Sequence, residues 1–133
     1  MKQRSNDGRR NSAGRGAVRL GRSFRFATRG IWVARLGANF RIHLVSAGGV
    51  VFLTVAHGIT GSHLGLVVWS IAAVLSAELM NTAVERTCDF IAELHGIDRD
   101  PRIRDIKDLA AGAVLVVALA ALVNALIVFG PRL

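Results

Sequence analysis

The sequence predicts an all-α integral membrane protein, in which an amphipathic surface helix precedes three transmembrane helices. Two observations carry this prediction. No charged residue occurs in the thirty-six positions between Arg41 and Glu78, or in the twenty-three between Asp108 and Arg132. A helix needs roughly 20 apolar residues to cross a hydrocarbon core of ~30 Å. A soluble domain of 133 residues is too small to bury that much uncharged sequence.

Charge is distributed unevenly along the chain. Residues 1–41 hold eleven of the 17 Lys and Arg residues and one acid, whereas the remainder holds six bases and eight acids. The first residues consist mainly of Arg, Gly, Ser and Asn, which predicts a disordered basic tail over 1–17 and a membrane domain over 18–133. A basic segment of this kind suits nucleic acid, an anionic membrane surface or a topology signal.

Four helices follow from the pattern of apolar residues. Arginines alternate with apolar residues at helical spacing after the tail, which is typical of a helix lying on an anionic membrane surface. A turn is expected at 57–63, where two glycines lie among small polar residues. The predicted boundaries are 19–38 for the surface helix and about 42–57, 64–85 and 109–129 for the three spans.

The distribution of Lys and Arg predicts the topology. The amino-terminal segment carries eleven of these residues and the segment between the second and third spans carries five, whereas the 57–63 turn carries none. Basic loops remain on the cytoplasmic side of a bacterial membrane. We therefore expect a multi-pass protein of the bacterial inner membrane with a cytoplasmic amino terminus. This topology explains the basic front without nucleic acid, so we expect no nucleic-acid partner.

Polar residues form one stripe at the end of the second span. On a helix the five residues lie within an arc of roughly 100°, and they are Glu78, Asn81, Thr82, Glu85 and Asp89. Carboxylates near hydrocarbon cost a few kcal/mol, so a retained charge usually has a partner or a task. Glu78 is the deepest of the acids and suits a general base, and the outer acids suit Mg²⁺. Two structural alternatives remain. Glu85 and Asp89 could lie on a solvated face of a cytoplasmic helix, and Glu78 could form a buried salt bridge or hydrogen bond between subunits.

Lys107 and Asp108 stand at the mouth of the third span, followed by small residues. A functional interpretation has Lys107 contact phosphate oxygens opposite the acidic stripe. The alternative is that Lys107 anchors the span at the interface and Asp108 is a favourable charge at a helix amino end. No GxxxxGK[ST] phosphate loop occurs in the chain. Within the third span, Asn124 is expected to form a hydrogen bond between helices.

These residues resemble the signature of the prokaryotic diacylglycerol kinase family, which includes an undecaprenol kinase branch. The matching motifs are E-L-M-N-T-A-V-E-x-x-x-D over 78–89 and K-D-L-A-A-G-A-V-L over 107–115. Two shorter motifs, S-F-x-F-A-x-R-G-I over 23–31 and N-F-R-I-H over 39–43, resemble the family's surface helix and the start of its first span. The resemblance covers the chain from about residue 19 to the end of the third span.

The resemblance implies an ATP-dependent lipid kinase that needs Mg²⁺ and forms a homotrimer with shared active sites. It implies that diacylglycerol is converted to phosphatidate, with undecaprenol as the alternative substrate. It implies that Glu78 is the general base towards the substrate hydroxyl, with Asn81 beside it at the reacting centre. It implies that Glu85 is a Mg²⁺ ligand at the nucleotide. The further nucleotide contacts that it implies are Lys107, Asp108, Arg19 and Phe26, and the lipid contacts are Phe40 and Arg41.

One departure from the family pattern concerns the metal. The family has a Glu, acting as a second Mg²⁺ ligand, where this chain has Gly37, and no carboxylate lies between Asp7 and Glu78. Water, Asp89 or Asp108 would then complete the site. The alternative is a weakened or non-enzymatic member of the family.

Overall fold

The computed structural model describes the backbone of residues 3–97 and 100–132, and the side chains from residue 18 onward within those ranges. The remaining positions, which belong to the predicted tail, the segment between spans two and three, and the carboxyl terminus, lie outside the described residues. Four α-helices and a short 3-10 turn make up the described part, with no strand in it. The helices are α1 (Gln3–Ala34), α2 (Ala38–Ala56), α3 (Gly61–His95) and α4 (Pro101–Phe129).

The chain divides into two compact units, one up to Ala34 and the other from Arg35 onward. The first unit consists of α1, whose backbone is helical from Gln3. The sequence predicts a disordered tail over 1–17, whereas the backbone is helical from Gln3 onward. The boundary between tail and membrane domain at 17–18 stays a prediction. The predicted surface helix also ends earlier than residue 38, because the chain turns at 35–37 before α2 begins.

The second unit contains three helices that are long and apolar enough to cross a membrane, which confirms the three predicted spans. α3 packs against both α2 and α4. At ~1.5 Å per residue the 19 residues of α2 extend ~28 Å, close to the thickness of a hydrocarbon core. The 35 residues of α3 extend ~52 Å, so part of this helix must project beyond the membrane.

The ends of these helices have local causes. Gly58 and Gly61 both have a φ of 60°, a conformation that glycine adopts without strain, and they bracket the turn between α2 and α3. α3 continues past the predicted boundary at residue 85 because nothing in the sequence stops it before Gly96. There the backbone is left-handed and the N–H of Ile97 donates to the carbonyl of Ala92 at 3.0 Å.

α4 begins at Pro101, eight residues before the predicted start of the third span. Asp100 caps the helix: its side chain accepts hydrogen bonds from the Arg102 backbone N–H at 2.9 Å and from the Arg102 Nη2 at 2.8 Å. Proline at the first helical position is favourable because no hydrogen-bond partner exists there for a backbone N–H. Residues 102–108, which the sequence prediction places in the segment between spans two and three, therefore form the first two turns of α4.

Packing is tightest at the end of the unit that contains the α2–α3 turn. Ile59, Val67, Val128 and Phe129 form a buried cluster there. The His57 ring meets the Phe129 ring edge to face, with centroids 6.1 Å apart. This cluster holds the ends of all three helices together and leaves the polar stripe at the opposite end of the unit.

Candidate active site

The predicted polar stripe lies on one continuous helix. Glu78 and Asn81 are each only 3% exposed, and Glu85 is half-buried one turn further along α3. The Asn81 Nδ2 donates to Glu85 Oε1 at 2.9 Å, which fixes the amide orientation and occupies one carboxylate oxygen. The structure therefore brings three of the predicted site residues together on one face.

The Asn81 side chain has an unsatisfied acceptor. Its Oδ1 is buried and has no hydrogen-bond partner. A buried polar atom without a partner costs about 1–3 kcal/mol, so such atoms usually receive a donor from water, a ligand or another chain. This carbonyl oxygen lies on the same helix face as Glu78, one turn away. The site thus offers a buried acceptor beside a buried carboxylate.

Glu78 also interacts with a histidine of the neighbouring span. His43 of α2 and Glu85 of α3 both act electrostatically on the Glu78 carboxylate. His43 belongs to the N-F-R-I-H motif, and the sequence predicts no role for it. His43 could have been identified from the sequence because it is a polar side chain inside a long uncharged stretch. Polar groups within a membrane span usually have a functional role.

Lys107 connects the stripe to α4. Its Nζ forms an ion pair with Asp89 Oδ1, where the Lys107 side chain is 35% exposed and the Asp89 side chain 65%. The ion pair brings Lys107 next to Asp89 of the stripe, and its predicted contact with phosphate oxygens stays a prediction. Because an exposed pair of this kind is weak, phosphate oxygens can compete for the ammonium group.

Asp108 is not brought to the stripe within one chain. Its side chain is 71% exposed and lies 3.8 Å from the Arg104 Nε on the same helix. It lines an open groove on α4 together with Asp105, Gly112 and Val116. Its contact with nucleotide stays a prediction.

The residues expected to contact lipid differ in exposure. Phe40 is only 2% exposed near the start of α2, whereas Arg41 is exposed. Gly37 precedes α2 in an extended conformation, and its carbonyl accepts a hydrogen bond from the Arg41 N–H at 3.3 Å. Phe40 thus packs inside the protein, and Arg41 is the member of the pair that offers its side chain to the surroundings.

Arg19 and Phe26 lie on α1, and both side chains are exposed. The Arg25 guanidinium carbon is 5.7 Å from the centroid of the Phe26 ring, within range of a cation–π interaction. Their contact with nucleotide stays a prediction.

A metal ion would find few protein ligands in one chain. The described residues include no group of three or more His, Cys, Asp or Glu side chains placed to hold one. Mg²⁺ is commonly bound through one or two carboxylates together with substrate phosphates. Glu85, whose second carboxylate oxygen is not used by Asn81, fits that limited requirement.

Asn124 forms the predicted hydrogen bond between helices. Its Nδ2 donates to the Ser70 Oγ at 3.0 Å, which joins α4 to α3 within the apolar part of both helices. The prediction for Asn124 is confirmed. The partner was not predictable from the sequence, because fifty-four residues separate the two side chains.

Three helices long and apolar enough to cross a membrane, the second of which carries a buried carboxylate and amide, define a membrane protein with a polar site. The chain belongs to the prokaryotic diacylglycerol kinase family, whose sequence model matches residues 25–129. Undecaprenol kinase of Bacillus subtilis (strain 168) is 35% identical over 116 residues, which cover 86% of this chain and 91% of that protein. No solved structure gives a significant match.

Proposed function

We propose that this protein transfers the γ-phosphate of ATP to the hydroxyl group of a membrane lipid, with Glu78 as the general base. The observation that carries the proposal is the buried Glu78 beside the unsatisfied Asn81 Oδ1 in a member of a lipid kinase family. A buried carboxylate at the site is suited to accept the proton of a lipid hydroxyl group.

Each residue of the stripe has a separate part in the reaction. Glu78 accepts the proton of the lipid hydroxyl as its oxygen attacks the γ-phosphorus and ADP leaves. Asn81 positions the site, since its Nδ2 orients Glu85, and its Oδ1 would accept a hydrogen bond from water or from a donor other than the reacting hydroxyl. Phosphoryl transfer depends mainly on such positioning and on neutralisation of charge.

The nucleotide requires cations that this end of the protein supplies in part. Lys107 exchanges its Asp89 partner for phosphate oxygens, and Glu85 would hold Mg²⁺, which neutralises phosphate charge when bound. Asp108, Arg19 and Phe26 are proposed as further contacts to the nucleotide. Asp108 pairs with Arg104 along its own helix, and a homotrimer with sites shared between subunits is proposed as well.

Two lipid alcohols are proposed as substrates. Diacylglycerol, which would give phosphatidate, is the lipid in the family's name, and undecaprenol is the lipid in the name of the Bacillus subtilis relative. Arg41, exposed at the start of α2, is proposed to contact the lipid at the membrane boundary, and buried Phe40 to support it there. The site is proposed to face the cytoplasm of a bacterial inner membrane, because ATP is available on that side.

The test is phosphorylation of diacylglycerol and undecaprenol, side by side, by the purified protein in lipid with Mg²⁺ and labelled ATP. We expect Glu78→Gln to lower the rate by roughly 10²–10⁴-fold, the usual contribution of a general base. Glu93→Gln, which alters an exposed glutamate of the same helix, is the matched control and keeps the wild-type rate. An intact protein that phosphorylates neither lipid would refute the proposal.

The second candidate function is that of a non-enzymatic membrane protein that has lost the metal site. Gly37, at the position of a family carboxylate, is the observation that favours it. Ligands that bind the native state raise the unfolding temperature. A kinase therefore gains thermal stability from Mg²⁺ and ATP together, and absence of any shift at saturating nucleotide would favour the non-enzymatic alternative.

A further inference from the structure

Three histidines interrupt the stretch between Arg41 and Glu78, and one of them differs from the others in position. His57 follows the end of α2 and His63 lies in the first turn of α3, so both belong to the end of the unit that contains the α2–α3 turn. His43 lies in the second turn of α2, towards the opposite end, and its side chain is half-buried. The proposed reaction leaves this side chain without a part.

The packing of α2 against α3 brings His43 close to the level of Glu78. The two helices are antiparallel because one short turn joins them, and Val50 of α2 packs against the buried cluster that contains Val67 of α3. His43 precedes Val50 by seven residues and Val74 follows Val67 by seven, so both lie ~10 Å from this contact. Glu78 is four residues beyond Val74, one turn further on the same helix face.

The direction of the His43 side chain agrees with this level. His43, Val74 and Leu75 all line one cavity of about 340 Å³ among the three spanning helices. Glu78 follows Leu75 by three residues and does not itself line the cavity. His43 and Glu85 are the side chains whose charges act on the Glu78 carboxylate, and of these two only a protonated imidazole attracts it. The His43 ring thus faces the part of α3 where the carboxylate lies.

Neither neighbouring helix offers another cation at this depth. On α4 no charged residue occurs between Asp108 and Arg132. On α2 the other basic side chain, Arg41, is exposed. Among the described residues of α2 and α4, His43 is therefore the basic side chain that lies in the interior at the level of Glu78. A carboxylate that is only 3% exposed is costly unless a donor or an opposite charge compensates it.

We propose that His43 is a positioning residue for Glu78: its imidazole N–H donates to the Glu78 carboxylate and holds the oxygen that accepts the substrate proton in one orientation. The proposal rests on the proposed function of Glu78, and it adds a residue of a different helix through which that function is secured. In this role His43 contacts neither lipid nor nucleotide and acts only through the carboxylate.

The first test measures phosphorylation rates of His43 variants in lipid. His43→Leu removes the donor and is expected to lower kcat about tenfold to 10²-fold with little change in KM for lipid or ATP, because a small displacement of a reacting group can cost 10²-fold in rate. His43→Gln keeps a donor and should lose less. Ser46→Ala, which alters another polar side chain of the same cavity one turn further along α2, is the matched control and keeps the wild-type rate.

A double-mutant cycle separates positioning from a general structural effect. In the Glu78→Gln background His43→Leu should cause no further loss, since the carboxylate through which His43 acts is already gone. An undiminished loss in that background, or a wild-type kcat in folded His43→Leu, would overturn the proposal and leave Glu78 as the general base. An unchanged rate in Glu78→Gln alone would refute the general base and this proposal with it.

Thermal unfolding tests the same contact without activity. His43→Leu should lower the unfolding temperature more in the wild-type background than in the Glu78→Gln background, because only the wild type is left with a buried carboxylate that has lost its partner. The same two comparisons with Ser46→Ala should give equal shifts. Equal shifts for His43→Leu in both backgrounds would overturn the proposal, even in a protein that phosphorylates no lipid.

Discussion

At the scale of single residues, the site depends on two buried polar side chains in a mostly apolar helix. Asn81 donates to Glu85 at 2.9 Å and keeps an unpaired oxygen, while Glu78 has a histidine of the next helix and a second carboxylate as its electrostatic neighbours. An arrangement that leaves one acceptor without a partner is costly for folding. In the ligand-bound site, water or a donor other than the reacting hydroxyl would pair with this oxygen.

Asn81→Ala is predicted to lower phosphoryl transfer by about 10²-fold, because it removes the acceptor and frees the Glu85 carboxylate from its orienting bond. The measurement is the initial rate at saturating ATP and lipid. The control is Thr87→Ala, which removes an exposed hydroxyl that bonds the Ala83 carbonyl at 2.8 Å on the same helix. Equal rates for the two variants would contradict a role for the amide.

At the scale of helices, α3 and α4 are joined by two polar contacts at different depths. The Lys107–Asp89 ion pair lies near the stripe, and the Asn124–Ser70 hydrogen bond lies deeper among apolar residues. The first contact is exposed and exchangeable, whereas the second is half-buried. The half-buried hydrogen bond would hold the two helices together, and the exposed ion pair would leave the Lys107 ammonium group available to a ligand.

Lys107→Met and Asp89→Asn are therefore expected to behave differently. Loss of the ammonium group removes a cation from the phosphates and is predicted to lower kcat/KM for ATP about 10²-fold. Loss of the Asp89 charge removes only an exposed pair and changes the unfolding temperature little. Arg104→Met, one turn away on the same helix, is the control for charge alone. A similar fall in kcat/KM for ATP in the Arg104→Met protein would mean that Lys107 acts only through the overall positive charge and not through a direct contact with phosphate.

The start of α4 predicts a dependence of stability on pH. The hydrogen bonds that Arg102 donates hold the pKa of Asp100 at about 2, below its ordinary value of 3.8. The folded state thus favours the carboxylate, so its stabilising effect is complete above the ordinary pKa and is lost as the pH falls towards 2.

Asp100→Asn keeps a side-chain acceptor at the helix start but cannot titrate, whereas Asp100→Ala removes the acceptor. We expect the difference in unfolding temperature between wild type and Asp100→Asn to shrink between about pH 4 and pH 2. The Asp100→Ala protein should be less stable than Asp100→Asn at pH 2, where charge no longer contributes. A constant difference across this range would show that the carboxylate does not stabilise the helix through its charge.

At the scale of the whole molecule, the three spanning helices separate an apolar end from a polar one. The turn at 57–60 and the end of α4 form the buried apolar cluster, and the stripe and Lys107 lie at the other end. Glu78 is ~25 Å along α3 from Gly61, close to the thickness of a hydrocarbon core. In the proposed topology this length brings the site near the cytoplasmic boundary of the membrane, where we propose that a lipid hydroxyl and a soluble nucleotide meet.

The proposed orientation is testable with introduced cysteines, because the native Cys88 is buried. In intact cells a membrane-impermeant maleimide should label Ser62→Cys, in the turn proposed to face outside. It should leave Ser23→Cys, on α1, unlabelled until the membrane is opened. Labelling in the reverse order would place the site on the side without ATP and would contradict the proposed topology.

The sequence by itself determined the class of fold, the number of spans and the stripe, because each depends on local periodicity and on the energetic cost of charge in hydrocarbon. The family motifs added the assignments for Glu78, Asn81 and Lys107, and the family comparison confirmed the relationship. Helix boundaries were less predictable, since charged residues such as Arg102 and Asp105 are compatible with helix and only the Asp100 cap defines where α4 begins.

Only the tertiary structure decided which side chains meet across helices. The pairs Lys107–Asp89 and Asn124–Ser70, the approach of His43 to Glu78 and the cavity beside them all join residues far apart in sequence. Such contacts depend on the rotation and depth at which helices pack, which periodicity leaves open. For the same reason the sequence could place Asp108 beside Lys107 but could not reveal that Lys107 pairs with Asp89 and Asp108 with Arg104.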